Sequence, residues 1–262
     1  MTAPASTEIG VHRDGAVLRI TLNRPERLNA LTAPVLADLA DLLAEAAEDP
    51  GVRAVVLSGA GRAFSSGADL AAGPESGEPP DASSVLAANR VIRSLASMPQ
   101  PVVAAVDGPA AGLGCSIALG CDLVVAADTA YFLLAFVNIG LMPDGGATAL
   151  VPAAIGRARA MEMALVPERI PAAQAREWGL IYRVVPAADL AGTVEALLAR
   201  LVAGPPLALA ATKRAVNATA LEGLEPALQR ELDGQGALLR SADFAEGVAA
   251  FGAKRTPLFG GA

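Results

Sequence analysis

The feature that most constrains this 262-residue chain is the alternation of short apolar runs with amphipathic helical segments in its first half. Residues 16–22 alternate like a strand, and the β-branched runs at 52–57 and 101–106 are also typical of strands. Between these runs, Thr32 can cap a helix, and residues 84–98 carry apolar side chains at helical spacing. This alternation predicts an α/β domain with largely parallel strands.

The second half of the chain has a different pattern. From Gly156 onward the sequence predicts one helix after another, and only residues 180–185 look extended. A helical C-terminal region of this length is expected to cover the α/β core or to mediate association with another subunit. Residues 71–84 are polar and rich in Gly and Pro, which predicts a mobile surface loop.

Composition excludes several classes of protein. Hydrophobic residues make up 53% of the chain, which is typical of a globular protein and not of a disordered one. The 20 basic and 27 acidic residues give a net charge of −7, so we expect no nucleic-acid partner. The single histidine, His12, cannot build a zinc site with several imidazoles or serve a hydrolase as a central base, and we expect no metal site.

The sequence also predicts the cellular location of the protein. The first eight residues lack the basic start and apolar block of a signal peptide, and the apolar stretch at 108–127 is interrupted by Asp122. Two cysteines, with no CxxC spacing, indicate buried thiols and not a disulfide framework. We therefore expect a cytoplasmic protein without a membrane span.

Two motifs resemble known catalytic signatures but are incomplete. Gly112-Leu113-Gly114 is similar to the start of a dinucleotide-binding fingerprint, but Ile117 stands at the third glycine position. Residues 114–118 are similar to a nucleophile elbow, but the last glycine is missing and no histidine is available to activate Ser116. We expect Ser116 to be a buried hydroxyl bonded to the backbone.

Two glycine-bearing turns follow apolar runs, one at residues 62–70 and one at 107–114. Such turns beside a helix start leave backbone N–H groups unpaired and allow a ligand to approach closely. Together they could aim two donors at one oxygen atom. Taken singly, each is equally an ordinary strand-to-helix turn.

With these turns, five motifs in order resemble the crotonase superfamily, the enoyl-CoA hydratase/isomerase group, along essentially the whole chain. They lie at residues 22–31, 64–70, 102–122, 140–146 and 251–255. The resemblance implies a spiral of ββα turns that assembles as a homotrimer or a dimer of trimers. It also implies an acyl-CoA thioester whose carbonyl oxygen accepts from the backbone N–H groups of Ala68 and Leu113, a pair of donors that would stabilise an enolate.

The resemblance further implies how the chain is divided and where CoA binds. Residues 1–200 would form the spiral core with the CoA and oxyanion site, and residues 201–262 a helical trimerisation region. No cofactor is implied beyond the CoA moiety of the substrate, whose expected contacts are Arg27, Leu28, Ala30, Ser66, Asp69, Leu70, Phe251 and Lys254. For Arg27 a solvated turn, and for Lys254 an exposed helix position, are the alternatives.

Departures from the family pattern bear on the reaction. The two glutamate positions of the family's hydratases carry Ser116 and Phe136 here, and neither transfers a proton as a carboxylate does. The remaining carboxylate near the expected acyl pocket is Asp144, which by its position before Gly145-Gly146 could equally be a helix N-cap.

Residues 135–144, 175–179 and 240–255 look most like the ring-1,2-epoxyphenylacetyl-CoA isomerases, in which the aspartate at this place is the proposed acid/base. Apolar neighbours such as Phe136 and Leu141 are expected to raise its pKa. We therefore expect an acyl-CoA isomerase that shifts a double bond or rearranges an epoxide to an oxepin through an enolate. The alternatives are a hydratase-like enzyme with water held by Ser116 and a catalytically silent acyl-CoA-binding subunit.

Overall fold

The computed structural model describes residues 7–70 and 82–261. Within them the strands are β1 (Ile9–Asp14), β2 (Val17–Leu22), β3 (Ala54–Gly59), β4 (Val102–Val106), β5 (Pro109–Ala111), β6 (Leu123–Ala127), β7 (Tyr131–Leu133), β8 (Ile170–Pro171) and β9 (Arg183–Val185). The helices are α1 (Ala33–Glu48), α2 (Ser83–Ser97), α3 (Leu113–Gly120), α4 (Ala147–Leu165), α5 (Ala172–Trp178), α6 (Leu190–Ala203), α7 (Pro206–Ala220), α8 (Leu224–Leu238) and α9 (Ala242–Gly252). The surface loop expected at 71–84 lies mostly outside the described residues, and Ser83 and Ser84 open α2.

Six strands form the main sheet in the order β1-β2-β3-β4-β6-β9. The pairs from β2 to β9 are parallel, and β1 pairs antiparallel with β2. The expected α/β domain with largely parallel strands is therefore confirmed. Strand β1 was not expected from the sequence, and β3 begins two residues later than the apolar run 52–57 suggested.

Helix α1 shows how the sequence builds the layer that covers this sheet. The N–H of Val35 donates to Oγ1 of Thr32 (3.4 Å), as the predicted cap requires. Leu36, Leu39 and Leu43 lie on one face of the helix and are fully buried. Each such side chain contributes about 1.5–3 kcal/mol by its burial, which holds α1 on the core.

A second, three-stranded sheet has the order β5-β7-β8, and its strand β5 is part of the second glycine-bearing turn. Strand β5 pairs with β7 in parallel, and the N–H of Gly112 donates to the carbonyl of Leu133 (2.8 Å). The turn that leads into α3 is therefore fixed by strand pairing on one side and by a helix on the other.

The C-terminal half is helical, as expected. Helix α5 has the predicted bounds, whereas α4 starts ten residues earlier than expected and is interrupted at Gly156, whose φ is 75°. Helix α9 packs closely on a 3₁₀ turn at Ala135–Ile139: a Cβ at Gly247 would lie only 2.6 Å from the backbone of Ile139. The expected boundary after residue 200 falls inside α6, and the division into two units stays a prediction.

Among the described residues, no single helix is long and apolar enough to cross a membrane. The segments Ala187–Ala203 and Pro206–Ala220 meet the length and composition test only as a pair, and the chain bends by 107° between them.

Candidate active site

Asp144 is a buried carboxylic acid between the 3₁₀ turn and α4. The residue is 7% exposed, and its Oδ2 accepts a hydrogen bond from Nε2 of Gln235 on α8 (2.8 Å). Its Oδ1 is buried and has no hydrogen-bond partner among the described residues. The side chain is thus held through one oxygen while the other remains unpaired.

The surroundings of Asp144 change its acidity. Burial raises its pKa from the ordinary value of 3.8 to about 7, the hydrogen bond from Gln235 opposes this rise, and the nearby charge of Glu231 adds to it. A carboxyl group with this pKa is present in both protonation states near neutral pH. It can therefore both remove and return a proton.

The capping role that the sequence allowed for Asp144 is wrong. Helix α4 has Gly146 at its N-cap, and the N–H groups of Gly146 and Thr148 donate to the carboxylate of Glu231 (2.7 and 2.9 Å). The hydroxyl of Thr148 also donates to Glu231 (2.6 Å). Glu231, which comes from α8, therefore satisfies the start of α4, and its own pKa is raised mainly by burial.

The two glycine-bearing turns meet. Gly67 and Gly112 have φ values of 92° and 51°, a region that glycine adopts readily. A Cβ at Gly67 would lie 2.8 Å from the carbonyl oxygen of Ala111 and 3.3 Å from the nitrogen of Leu113. The backbones are in direct contact, and only glycine at position 67 permits this approach.

Ala68 and Leu113 present backbone N–H groups at this junction. Leu113 opens α3, so its N–H has no partner within the helix. The bridge between Leu31 and the first turn uses the carbonyl of Gly67 and the N–H of Asp69, which leaves the N–H of Ala68 out of the bridge. In residues 7–70 and 82–261, neither N–H donates a hydrogen bond.

Asp144 lies beside the second of these turns. The hydroxyl of Ser116 donates to the backbone carbonyl of Asp144 (2.7 Å), and a Cβ at Gly145 would lie 2.6 Å from Cδ1 of Leu113. The expectation that Ser116 is a buried hydroxyl bonded to the backbone is confirmed. The first turn of α3 therefore carries one N–H donor and also positions the backbone of Asp144.

The residues expected to contact CoA fall into two groups. The first joins Arg27, Leu28 and Ala30 to the turn of Ser66, Asp69 and Leu70. The N–H of Ser66 donates to the carbonyl of Leu28 (2.9 Å), and Asp69 forms ion pairs with Arg24 and Arg27. The structure therefore brings residues 27–31 together with residues 66–69.

Phe251 and Lys254 form the second group, at the end of α9. Phe251 is 65% exposed, and Lys254 has a positive φ of 52°. No hydrogen bond or ion pair between described residues joins them to Arg27 or its neighbours. No group of three or more His, Cys, Asp or Glu side chains in the described ranges could hold a metal ion.

Sequence reasoning missed Glu231 and Gln235. Both are buried on the inner face of α8, which continues the apolar positions Leu224 and Leu228 at helical spacing. Two polar side chains where this period predicts apolar ones are the signal that could have identified them.

Comparison with known proteins places this geometry in a family. The model of the family described as enoyl-CoA hydratase/isomerase matches residues 12–262. The 1,2-epoxyphenylacetyl-CoA isomerase of Escherichia coli (strain K12) is 43% identical over 254 residues, which cover 95% of this chain and 97% of the relative. A probable enoyl-CoA hydratase of Rhodobacter capsulatus is 45% identical over 242 residues, which cover 92% and 93% of the two chains.

A solved structure agrees with these relatives. The crystal structure of an enoyl-CoA hydratase from Mycobacterium avium subsp. paratuberculosis K-10 has a TM-score of 0.91 and 52% sequence identity, and the match covers 97% of this chain and 99% of that one. The crotonase-like fold expected from the motifs is therefore confirmed. The chain belongs to the enoyl-CoA hydratase/isomerase family of the crotonase superfamily.

Proposed function

We propose that this enzyme is an acyl-CoA isomerase in which Asp144 moves the proton and the N–H groups of Ala68 and Leu113 stabilise the enolate. With a 3-enoyl-CoA, Asp144 takes a proton from C2 and the electron pair moves to the thioester oxygen. Return of the proton at C4 gives the conjugated 2-enoyl-CoA. Rearrangement of a ring-epoxidised phenylacetyl-CoA to an oxepin would use the same site, and the CoA moiety arrives with the substrate.

The observation that carries this proposal is the state of the Asp144 carboxyl group. It is buried, one of its oxygens has no hydrogen-bond partner in residues 7–70 and 82–261, and burial raises its pKa to about 7. A general base is most effective when its pKa lies near the working pH. The α-proton of a thioester is weakly acidic, so its removal also needs preorganised donors for the enolate oxygen. The N–H groups of Ala68 and Leu113, at the adjoining turns, have no acceptor among the described residues.

Asp144 is the one carboxylate with a buried, unpartnered oxygen at this site among the described residues, and one such group favours isomerisation over hydration. Hydration in this family uses two carboxylates, and the corresponding positions are Ser116 and Phe136. The Ser116 hydroxyl is fully buried and donates to the backbone carbonyl of Asp144, which argues against a catalytic water held by Ser116. Glu231 accepts three hydrogen bonds at the start of α4 and is engaged there.

The two relatives described above carry different activities, one an isomerase and the other a probable hydratase. The Escherichia coli relative is a 1,2-epoxyphenylacetyl-CoA isomerase, which supports isomerisation of a ring epoxide. Hydration of an enoyl-CoA is the second candidate, because the Rhodobacter capsulatus relative is a probable enoyl-CoA hydratase. The absence of a second carboxylate at position 116 or 136 decides our choice of the isomerase.

CoA is proposed to lie along the turns at 27–30 and 66–70. The Arg27 side chain is 46% exposed, so its guanidinium can reach a phosphate group while it stays close to Asp69. Phe251 and Lys254 are proposed to meet the nucleotide end of CoA across a subunit contact, in a homotrimer or a dimer of trimers.

The test compares the wild-type enzyme with Asp144→Asn. Purified protein is incubated with 3-enoyl-CoA, and separately with the epoxide substrate, and formation of the conjugated product is followed by absorbance. We expect Asp144→Asn to lower kcat by about 10³-fold or more, because general acid–base catalysis contributes about 10²–10⁴-fold, while the Kd for acyl-CoA stays nearly unchanged.

Asp233→Asn, which changes an exposed aspartate on α8, is the matched control and should retain wild-type kcat. Full activity of Asp144→Asn would refute the assignment of the base. Addition of water to 2-enoyl-CoA with no isomerisation of 3-enoyl-CoA would favour the hydratase. Acyl-CoA binding without turnover of any of these substrates would indicate a silent subunit.

A further inference from the structure

Helix α8 brings two buried polar side chains, Glu231 and Gln235, to the segment that carries Asp144. They are four residues apart, so they lie on the same face of the helix, one turn from each other. Neither belongs to the motifs that carry the family resemblance. Their contacts assign a different task to each.

Gln235 determines which oxygen of Asp144 lacks a hydrogen-bond partner among the described residues. Its Nε2 donates both to the carbonyl of Met142 (2.9 Å) and to Oδ2 of Asp144 (2.8 Å). A backbone carbonyl can only accept, so the NH₂ end of the amide must face this side, and a flipped amide would oppose acceptor to acceptor. Oδ2 is therefore permanently an acceptor, and a proton on Asp144 resides on Oδ1.

Glu231 occupies the donors that would otherwise stabilise the ionised form of Asp144. The N–H of Gly146 lies two residues after Asp144, and a carboxylate beside a helix N-terminus is stabilised by such N–H groups and by the helix dipole. In this structure both the Gly146 and Thr148 N–H groups donate to Glu231. Asp144 thus sits beside a helix N-terminus without receiving its hydrogen bonds.

We propose that Gln235 and Glu231 are positioning residues for Asp144, Gln235 by holding Oδ2 so that Oδ1 alone transfers the proton, and Glu231 by keeping the N-terminus of α4 away from the carboxyl group. The inference rests on the proposed function, because it concerns the same base.

The charges around Asp144 give the two residues opposite effects on its acidity. The donor on Gln235 lowers the pKa of Asp144, whereas the charge of Glu231 raises it. On α8, Arg230 is the charged neighbour of Glu231 and lowers the pKa of Glu231. The first turn of α3 presents Leu113 and the hydroxyl of Ser116, which carry no charge, and α4 presents Thr148.

The experiment measures kcat/KM against pH for the wild type, Gln235→Met and Glu231→Gln. Asp144 must be ionised to take the proton, so activity rises with pH through its pKa. Gln235→Met keeps the length of the side chain but removes the donor, so the midpoint of this rise should move up by about 1 pH unit. Glu231→Gln removes the repelling charge, so the midpoint should move down by about 1 unit.

The second readout compares the effect of each variant on KM with its effect on kcat. Gln235→Met should lower kcat at the optimum pH by about 10²-fold, the cost of a base displaced by about 1 Å, with little change in KM. Gln235→Glu provides an independent variant, because two adjacent carboxyl groups share a proton and should move the midpoint up further than Gln235→Met does. Gln229→Met and Glu222→Gln, at exposed positions on or just before α8, are the matched controls and should behave like the wild type.

Opposite shifts of the midpoint support the inference, since general loosening of the fold would move both variants in one direction. If Asp144→Asn inactivates the enzyme but Gln235→Met and Glu231→Gln shift the midpoint equally, or both keep the wild-type profile, the inference is overturned and the proposed function stands. An enzyme whose turnover does not depend on Asp144 would overturn both.

Discussion

Gly114→Ala tests whether the two glycine-bearing turns must touch for catalysis. Gly114 lies in the first turn of α3, directly after Leu113, and faces Ser65 in the other turn. An added Cβ would lie 2.6 Å from Cβ, 2.7 Å from Oγ and 2.8 Å from the carbonyl oxygen of Ser65. Ordinary contacts between such atoms are about 3.5 Å or longer, so the turns must separate by about 0.7–1 Å.

This separation sets the expected size of the effect. Misplacement by about 1 Å costs about 10²-fold in rate, and loss of one oxyanion donor costs about 10²–10³-fold. We therefore expect kcat to fall by about 10²-fold or more. Overpacking should lower the free energy of unfolding by about 1–3 kcal/mol, of which the better helix propensity of alanine offsets up to about 1 kcal/mol.

The assay combines steady-state isomerisation of 3-enoyl-CoA with urea denaturation. Gly192→Ala in α6 is the matched control, because no described atom outside the adjoining backbone of α6 lies within 4 Å of its added Cβ, and it should keep wild-type kcat. If Gly114→Ala folds and turns over within twofold of the wild type, the contact between the turns does not position the donors. That result would refute the reasoning.

Three further changes have expected outcomes. Asp144→Asn should raise the thermal stability above pH 7. Burial raises the folded-state pKa of Asp144 to about 7, so the wild type loses stability as pH rises from about 4 to 7. Relative to the wild type, the variant's free energy of unfolding should be up to about 4 kcal/mol higher at pH 8 and almost equal at pH 3, and equal melting curves at both pH values would contradict this. Arg24→Ala should cost about 2–3 kcal/mol in urea denaturation, because it removes the 2.9 Å ion pair to the nearly buried Asp69, and an unchanged midpoint would show that Arg27 suffices. Lys254→Glu should weaken CoA binding more at low than at high salt, and unchanged affinity in calorimetry at low salt would remove Lys254 from the site.

The local parts of the fold could be predicted from the sequence. Thr32 caps α1, and the apolar spacing of α2 and α5 set their positions to within a residue or two. Strand β1 was missed because its second half, His12-Arg13-Asp14, is polar and mostly exposed at the sheet edge. Its place depends on antiparallel pairing with β2, a tertiary contact and not a local preference.

The candidate site could be predicted only in part, for the same reason. The turns around Gly67 and Gly112 carry recognisable motifs, and Asp144 follows from the resemblance. Gln235 lies 91 positions from Asp144 along the chain, and only the return of α8 across the start of α4 brings the two together. The sequence left the capping and catalytic roles of Asp144 open, and the capping hydrogen bonds made by Glu231 removed the first of them.

The most direct test of the central role of Asp144 is to follow the proton itself. A 3-enoyl-CoA deuterated at C2 is converted by the wild-type enzyme in ordinary water under single-turnover conditions, and the product is examined by NMR. In the proposed mechanism one buried carboxyl group removes and returns the proton, so we expect part of the deuterium at C4 of the 2-enoyl-CoA. A product that carries only solvent hydrogen at C4 would contradict transfer by a single enclosed base.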